Sequence, residues 1–556
     1  MRWCFVLALA RRTNVAGNDK ISYEPYARKR NGMRDKGKQI ALGGAFSISL
    51  LMAAGATAGG ADLRLVEAVR NQDQQQVRSL LNQHADVNAR SGDGSTALLW
   101  AAHWNVLETA TLLIRAGADA NAANDFRMTP LSEACTNGSA PFVDLLLKAG
   151  ANPNTAVATG VPPIMTCARS GNADAVKILL AGDADVNAKE PAQNQTALMW
   201  AAAEHHPEIV RTLIEAKADL QARTKNGFTA LHYAAREGDI ESARLLLAAG
   251  VSINLRSQPD LSPGGADAEQ DPRVGAAGGT VPAQAGRRAV SAMTSEGATP
   301  LLVATMRGQV PLALFLLEHG ADPDVGDAGL TPLHWAAATW ENGTANPVYG
   351  FDDPMAGIPD RQAKLRLVRA LLAHGASPNS RMTRPKPAFA GGYTDAVGAT
   401  PFLLASSVDD VEMMRLLLAA GADPKLLTAS NTTAVMAATA LNHGVGESPV
   451  TEQQAIEAVR LLLDLGLGAG GVTTLNENAL FGPAYRGWNT LLELLIEKGA
   501  EVNVVSKAGV TPWLAASGFG DRLGGVLYNK EGADILAKHG ADPTLGRPCQ
   551  AQNKCR

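Results

Sequence analysis

A short sequence pattern that returns about every 33 residues constrains this chain more than any other feature. The pattern reads Thr-Ala-Leu-Leu-Trp-Ala-Ala at Thr96, and variants of it begin at Thr129, Thr196, Thr229, Thr331 and Thr511. The intervals from Thr96 through Thr129, Pro162 and Thr196 to Thr229 are 33, 33, 34 and 33 residues. Self-similarity at one period of this size is typical of stacked repeats. The 556 residues therefore do not divide into three or four ordinary domains.

Each repeat has the pattern of two short helices separated by a turn. From Thr229 to Arg236 and from Glu241 to Ala249, apolar residues follow helical spacing, with Gly238 between the segments and Gly250 after them. The threonine that opens each unit is a favourable N-cap, and a proline after it suits the first helical turn. Alanine pairs allow close helix packing, and one such unit cannot bury its own apolar face. The sequence therefore predicts stacked helix-turn-helix units.

A second motif completes the resemblance to a known family. Units end in segments such as Leu416-Leu-Leu-Ala-Ala-Gly-Ala-Asp-Pro424, and together with the threonine motif this resembles the ankyrin repeat. The resemblance covers nearly all of residues 62–545. It implies an all-α solenoid of about twelve helix-turn-helix units, with short β-hairpin connections and several long loop insertions. It also implies that His232 and His334 hold the hairpins in place.

Departures from the period predict the domain boundaries. We expect a first block of repeats over 59–255, a disordered Gly/Pro/Ala-rich insertion over 256–296, a second block over 297–545 and a polar tail over 546–556. Further insertions are expected near 340–362, 382–398 and 443–455. Insertions on one face of a solenoid often mark its binding side, whereas neutral loop growth is the alternative, which we favour for the first insertion.

The amino-terminal 58 residues have the pattern of an export signal. Lys36 and Lys38 precede the uncharged stretch Ile40 to Ala54, and Ala56-Thr57-Ala58 is a small-x-small cleavage motif. We predict cleavage after Ala58, with Met33 as the working start, and a periplasmic or secreted protein. An uncleaved membrane anchor and a cytoplasmic protein are the alternatives. The chain remaining after cleavage would carry 40 basic and 51 acidic residues.

Composition and motifs argue against catalysis and nucleic-acid binding. The 46% of hydrophobic residues are sufficient for a core, and the net charge of −4 does not favour a nucleic-acid partner. No nucleophile elbow, zinc-protease motif or P-loop occurs. The segment Gly466 to Gly471 fits a dinucleotide-binding pattern but follows a helical leucine run, so we interpret it as the turn ending a repeat. We therefore predict a non-enzyme without cofactor or metal site.

Two pairs of cysteines differ in their surroundings. Cys135 and Cys167 replace alanines of the Ala-Ala positions in neighbouring repeats, so we interpret them as small core residues. Cys549 and Cys555 lie in the polar tail, where an oxidising compartment favours a disulfide between them. Two free tail thiols are the alternative.

Residues that vary between otherwise similar units are candidates for partner binding. Such variation occurs at the hairpin tips, and we expect the following side chains to contact a partner: Arg90, Asp93, Asp125, Phe126, Arg127, Lys189, Glu190, Arg223 and Lys225. Trp104 and Trp340 follow the alanine pair and are expected to be exposed. Trp100, Trp200, Tyr233 and Trp335 share one helix position, where they line a concave groove or, as we favour, pack between repeats.

The leading function is a non-enzymatic scaffold that binds protein through hairpin tips and the concave inner-helix face. The chain resembles secreted bacterial ankyrin-repeat proteins, on the basis of units such as Val397-Gly-Ala-Thr-Pro-Phe-Leu-Leu-Ala405. An accessory subunit or chaperone of a separate exported enzyme, or a secreted host-directed effector, is the alternative. We expect a monomer with protein partners, no nucleic acid and no stable membrane insertion after cleavage of the leader.

Overall fold

The computed structural model describes residues 62–257, 297–325, 329–338, 358, 360–384, 397–441, 450–519 and 528–546. These residues form 24 helices in twelve consecutive pairs, and each pair is one repeat with an inner and an outer helix. In chain order the helices are α1 (Arg64–Arg70), α2 (Gln74–Asn82), α3 (Ala97–His103), α4 (Leu107–Arg115), α5 (Pro130–Thr136), α6 (Ala140–Lys148), α7 (Pro163–Ser170), α8 (Ala173–Ala181), α9 (Ala197–Ala203), α10 (Pro207–Glu215), α11 (Ala230–Glu237), α12 (Ile240–Ala248), α13 (Pro300–Met306), α14 (Val310–Glu318), α15 (Pro332–Ala337), α16 (Arg361–Ala373), α17 (Pro401–Ser407), α18 (Val411–Ala419), α19 (Ala434–Ala437), α20 (Glu452–Asp464), α21 (Phe481–Arg486), α22 (Asn489–Glu497), α23 (Pro512–Ala516) and α24 (Lys530–Lys538). The predicted all-α solenoid of about twelve units is confirmed.

Most inner helices begin where the threonine motif places an N-cap, whereas α1, α7 and α21 begin after Leu63, Pro162 and Leu480. The Thr96 hydroxyl accepts a hydrogen bond from the backbone N–H of Leu99 at 3.2 Å, and Thr129 caps Ser132 in the same way at 3.1 Å. A side-chain cap satisfies one of the backbone donors that the first helical turn leaves open. Local hydrogen bonding therefore determines where these helices start.

The outer helices end at a left-handed residue. Gly117, after α4, has a φ of +92°, and a Cβ built there would meet no atom within 4 Å. The backbone conformation, and not lack of space, therefore favours glycine at this position. After α8 the positive φ of +64° is carried by Asp183 instead, since short polar residues tolerate this region better than most.

One continuous apolar core connects successive repeats. The alanine pairs Ala101-Ala102 and Ala201-Ala202 are fully buried in the inner helices, and Leu113 and Leu146 are fully buried in the outer helices. Small side chains on the inner helices permit close approach, while the leucines fill the remaining space. Each repeat therefore obtains its core from its neighbours.

The connections between repeats differ from the predicted β-hairpins. In the described residues they contain no strand, and a single isolated bridge joins Arg90 and Thr96. The backbone N–H groups of Ser91 and Gly94 bond to the carbonyls of Ser95 and Ser91, at 2.9 and 2.8 Å. The chain segments on either side of each turn are too short to form a longer ladder of backbone hydrogen bonds, so the connections are hairpin-shaped turns.

Asparagine side chains hold these turns in register from repeat to repeat. Asn88 donates to the Gly117 carbonyl at 3.1 Å and accepts from the Asp119 N–H at 2.8 Å, one repeat further along the chain. Asn121 makes the equivalent pair of bonds to Gly150 and Asn152. The turns consequently form an ordered row along one edge of the solenoid.

The insertions within repeats end earlier than predicted. The segments expected near 340–362 and 443–455 do separate an inner from an outer helix, but α16 already begins at Arg361 and α20 at Glu452. Each of these helices has 13 residues, compared with nine in α14 and α18. In α16 the buried Lys364 donates to the Ala338 carbonyl at 2.6 Å. The additional turn of this helix therefore provides a hydrogen-bond donor for a carbonyl at the end of the preceding inner helix.

The two insertions between repeats are closed by the same pair of backbone hydrogen bonds between the residues that precede and follow them. Ser257 is buried and exchanges backbone hydrogen bonds with Ala298 and Gly297, each at 2.8 Å. Met382 pairs likewise with Ala399 and Gly398, at 2.9 and 2.7 Å. Arg256 and Ser257, which we predicted to be disordered, are thus part of the fold. The remainder of that insertion, residues 258–296, lies outside the described residues, as do residues 385–396 of the second insertion.

The predicted leader, residues 1–58, and the tail from residue 547 onward also lie outside the described residues. No helix within the described ranges is both long and apolar enough to cross a bilayer.

Candidate protein-binding surface

The turn tips lie side by side along the row of connections. The Asp125 N–H donates to the carbonyl of Asp93 at 3.0 Å, and the Ala158 N–H donates to the carbonyl of Phe126 at 3.0 Å. Each bond joins one tip to the tip of the next repeat. The backbone of the tips is thereby held in place while their side chains are free to vary.

Several predicted contact residues are on the surface of these tips. Asp125, Arg127 and Lys189 are exposed, and Phe126 has 67% of its surface exposed. Arg127 adopts a φ of +55° at the end of its turn. A large aromatic side chain exposed beside charged groups is a combination often found in binding surfaces.

Arg90 and Asp93 are exposed but also have partners within the fold. The Arg90 guanidinium donates to the Ala123 carbonyl in the next repeat. The Asp93 carboxylate accepts hydrogen bonds from Ser91 and from the backbone and side chain of Ser95, and the bond from Ser91 contributes most to lowering its pKa. Both residues therefore support their own turn in addition to presenting charge.

Three of the predicted tip residues occupy structural positions. Glu190 is buried, and its carboxylate accepts from the backbone N–H groups of Ala192, Gln193 and Gln195 at 2.7 to 3.1 Å. The turn after Glu190 is longer than its counterparts and closes around the carboxylate. Our expectation that this residue faces a partner does not agree with its burial.

Arg223 and Lys225 are half-buried, not free in solvent. Arg223 donates to the carbonyls of Gly227 and Arg256 at 3.2 and 2.8 Å, and Lys225 donates to the Pro191 carbonyl at 2.8 Å. Both side chains reach a backbone carbonyl one repeat away. These bonds connect adjacent repeats, so Arg223 and Lys225, which we expected to contact a partner, also support the stacking.

The tryptophans divide between packing and exposure. Trp335 and Tyr233 are buried, which agrees with the packing that we favoured, whereas Trp100 and Trp200 are half-buried. Trp104 is 42% exposed, and its indole N–H donates to the Arg70 carbonyl at 3.1 Å. It borders a small cleft, partly open to solvent, between the first two repeats. Trp340 lies outside the described residues.

The structure contains a disulfide that we did not predict. Cys135 and Cys167 are bonded between α5 and α7, with 4.4 Å between their Cα atoms and both residues fully buried. Both residues lie in the core, as we interpreted them, but they are also paired, because the alanine-sized positions of adjacent inner helices approach within disulfide distance. Their separation of 32 residues, about one repeat, is the feature of the sequence that could have indicated the pairing. Cys549 and Cys555 lie outside the described residues.

Two buried histidines are the residues that we expected to hold the turns. In both, Nδ1 accepts from the N-cap threonine backbone, while Nε2 faces a carbonyl oxygen in the next connection. Burial lowers the pKa of His232 and of His334 to about 4, so both are neutral near pH 7. The predicted role of these imidazoles is confirmed.

Within the described part of the chain, no group of three or more His, Cys, Asp and Glu side chains is arranged to hold a metal ion. His205 and His206 are adjacent in the sequence, and His206 places Nε2 3.1 Å from the Arg169 carbonyl of the preceding repeat. Through this contact, His206 helps to pack its repeat against the preceding one.

The architecture defines the molecule as a helical repeat protein. Family models for ankyrin repeats match residues 65–157, 164–257, 296–328 and 397–429. The chain is an ankyrin-repeat protein, a class of protein-interaction modules.

Three curated proteins illustrate the range of similar chains. The E3 ubiquitin-protein ligase KEG of Arabidopsis thaliana is 23% identical over 337 residues, which are 57% of this chain and 18% of that protein. Protein PhlB of Serratia liquefaciens is 33% identical over 143 residues, 26% of this chain and 47% of that protein. The ankyrin repeat and KH domain-containing protein mask-1 of Caenorhabditis elegans is 30% identical over 151 residues, 25% of this chain and 5% of that protein. The matches thus span less than half of each relative.

Proposed function

We propose that this chain is a non-enzymatic scaffold that binds a protein partner through its turn tips and the exposed positions of its inner helices. The observation that supports this most directly is the row of tips whose backbones are hydrogen-bonded to one another while Asp125, Phe126, Arg127 and Lys189 remain exposed. A fixed frame with variable exposed side chains supports partner recognition because little ordering is needed on binding.

We further propose that the chain functions outside the cytoplasm, in the periplasm or as a secreted protein. The leader pattern ending at Ala58 supports export. The buried Cys135–Cys167 disulfide supports it independently, because structural disulfides form and persist mainly in oxidising compartments.

Affinity capture tests the binding function. The tagged chain would be incubated with envelope and secreted fractions of the source cell, beside a variant carrying Phe126→Ala and Lys189→Glu. We expect a stoichiometric protein partner with the natural chain and much less of it with the variant. Arg115→Glu, an exposed change on the outer helix α4, is the matched control and should retain the partner.

Three results would change the assignment. Equal recovery by the natural chain and the tip variant would show that the tips do not bind the partner. A recovered partner that is an exported enzyme, whose activity depends on this chain, would favour the accessory-subunit alternative. Turnover by the purified chain alone, abolished by one point substitution, would contradict the non-enzymatic function.

Export is tested separately by expressing the chain with its own leader in a Gram-negative host. We expect a periplasmic or secreted product whose amino terminus is Gly59 and whose Cys135 and Cys167 are oxidised. A product that keeps its leader in the membrane fraction would favour the anchor, and a reduced cytoplasmic product would contradict export.

A further inference from the structure

Arginine side chains cover aromatic rings along the inner helices. The Arg70 guanidinium lies 5.3 Å from the ring centroid of Trp100, and that of Arg169 lies 4.9 Å from the ring centroid of Trp200. Each pair joins two adjacent repeats, α1 to α3 and α7 to α9. In both pairs the aromatic residue is the fifth residue of its repeat motif and the arginine is the eighth of the preceding motif, so the two pairs present the same face.

Stacking prepares these two guanidinium groups for a ligand. A guanidinium resting on an indole keeps its edge N–H groups available and has fewer rotamers to lose on binding. Arg70 and Arg169 are exposed, and no carboxylate in the described part of the chain lies within ion-pair distance of either. In contrast, Arg236, which stacks on Tyr233 at 4.7 Å, is paired with Glu237 at 2.6 Å.

The acidic residues on the same face restrict the kind of ligand. Glu133 lies 3.5 Å from His103, whereas Glu67 and Glu204 are exposed and make no ion pair with the stacked arginines. Along the stack, Glu133 lies between the two arginines, Glu67 lies on the helix of Arg70, and Glu204 follows the inner helix of the repeat after Arg169. These carboxylates would repel a polyanion with a negative charge on every unit. They would not repel a segment whose separate carboxylates lie opposite Arg70 and Arg169.

We propose that Arg70 on Trp100 and Arg169 on Trp200 form two carboxylate-binding positions for an acidic segment of a partner protein. The guanidinium edge matches a carboxylate in bidentate geometry. The two positions are three repeats apart, about 24–30 Å at ordinary helix-packing distances, which an extended segment spans in about nine residues. This inference rests on the proposed protein-binding function and specifies the chemistry of the partner.

The proposal is tested with the full chain and a defined peptide. The probe is a fluorescein-labelled peptide with two glutamates at each end and nine neutral residues between them. Its binding is measured by fluorescence anisotropy at increasing NaCl concentration. A peptide with glutamine in place of each glutamate is the neutral control. The protein variant carries Arg70→Gln and Arg169→Gln, and its matched control carries Arg115→Gln and Arg415→Gln, two exposed arginines of the outer helices.

We expect the acidic peptide to bind the natural chain, with an affinity at least about tenfold lower in the Arg70/Arg169 variant and within about twofold in the control variant. The glutamine peptide should bind weakly to all of them. No binding of the acidic peptide by the natural chain, or an equal loss in the two variants, would overturn the proposal. Tighter binding of an oligothymidylate than of the peptide would also overturn it, in favour of a polyanion site.

The outcome is separable from that of the capture experiment. If the Arg70/Arg169 variant recovers the natural partner as well as the unmodified chain does, the carboxylate positions are wrong and protein binding stands. If the natural chain recovers no partner but binds the peptide through these arginines, the surface is correct and the scaffold function fails.

Discussion

The Nε2 atom of His232 lies 3.0 Å from the carbonyl oxygen of Ala298, 66 residues further along the chain. His334 is related to Ala399 in the same way, at 3.2 Å. Both carbonyls belong to residues that directly follow a long insertion. Among the described repeats, only these two have histidine at the fourth position of the threonine motif. Histidine therefore coincides with the repeats whose outgoing connection is interrupted.

Acid should destabilise the fold through these two histidines. Their pKa is about 4 in the folded chain because burial disfavours the charged form, and about 6.5 when unfolded. Between these values the unfolded chain binds more protons, so stability is full above pH 6.5 and falls as the pH approaches 4. The loss should reach roughly 3 kcal/mol per histidine, measured by urea unfolding monitored by circular dichroism.

Replacing both histidines by leucine provides the control for this effect. Leu99, Leu302 and Leu403 occupy the same motif position in other repeats and are buried. The double variant should be less stable at pH 7, by about 1–3 kcal/mol for each carbonyl that loses its donor. Its remaining stability should change much less between pH 6.5 and 4. An acid-induced loss as deep as that of the natural chain would show that other groups cause it.

Reduction of the Cys135–Cys167 disulfide should loosen the third and fourth repeats. Closing a loop of 32 residues corresponds to about 3–4 kcal/mol of stabilisation through the unfolded state. Hydrogen exchange measured by mass spectrometry should therefore accelerate in α5 to α8 when a phosphine reductant is added, with little change in the last repeats.

A variant with alanine at both cysteines is the control, because it should not respond to reductant. Non-reducing peptide mapping of the natural chain should recover residues 135 and 167 in one cross-linked species. Recovery of both cysteines as free thiols from the exported protein would refute the bond.

Substitution should destabilise the protein at Glu190 but have little effect at its neighbour Lys189. Glu190→Ala removes a buried carboxylate that accepts three backbone N–H groups, so stability should fall by about 2–3 kcal/mol. Lys189→Ala changes an exposed side chain and should alter stability by less than about 0.5 kcal/mol. Chemical unfolding of both variants measures this difference, and a neutral Glu190→Ala would show that the turn does not depend on the carboxylate.

Asp409→Gly should stabilise the protein. Asp409 is buried with a φ of +51°, and its Oδ1 atom has no hydrogen-bond partner. Burial raises the pKa of this carboxyl well above its usual range, so its ionisation opposes folding near neutral pH. Glycine removes both the carboxyl and the unfavourable φ, and we expect a gain of about 1–2 kcal/mol.

Asn105→Gly is the matched control for Asp409→Gly. Asn105 lies at the same turn position with a φ of +55° but is exposed. Its replacement should change stability by a few tenths of a kcal/mol only. If the two substitutions have equal effects, backbone conformation alone accounts for the gain and the buried carboxyl contributes nothing.

Features that depend on neighbouring residues along the chain were predictable. Thr96 caps α3 and Gly117 follows α4 because capping involves residues within one turn of the helix end. The motif position of His232 likewise indicated its partner region, since every repeat places its connection at the same point. Exposure of Phe126 and Lys189 followed from their position at turn tips.

The sequence by itself therefore determined the repeat, its helix boundaries and the edge where the turns lie, because these follow from local spacing and from the stacking of like units. Only the tertiary structure decided that Cys135 bonds to Cys167, that the turn closes over Glu190, and that Arg70 and Arg169 rest on the rings of Trp100 and Trp200. These contacts depend on the distance and orientation of side chains in adjacent turns and repeats. A one-dimensional period specifies which residues are neighbours but not which of their atoms meet.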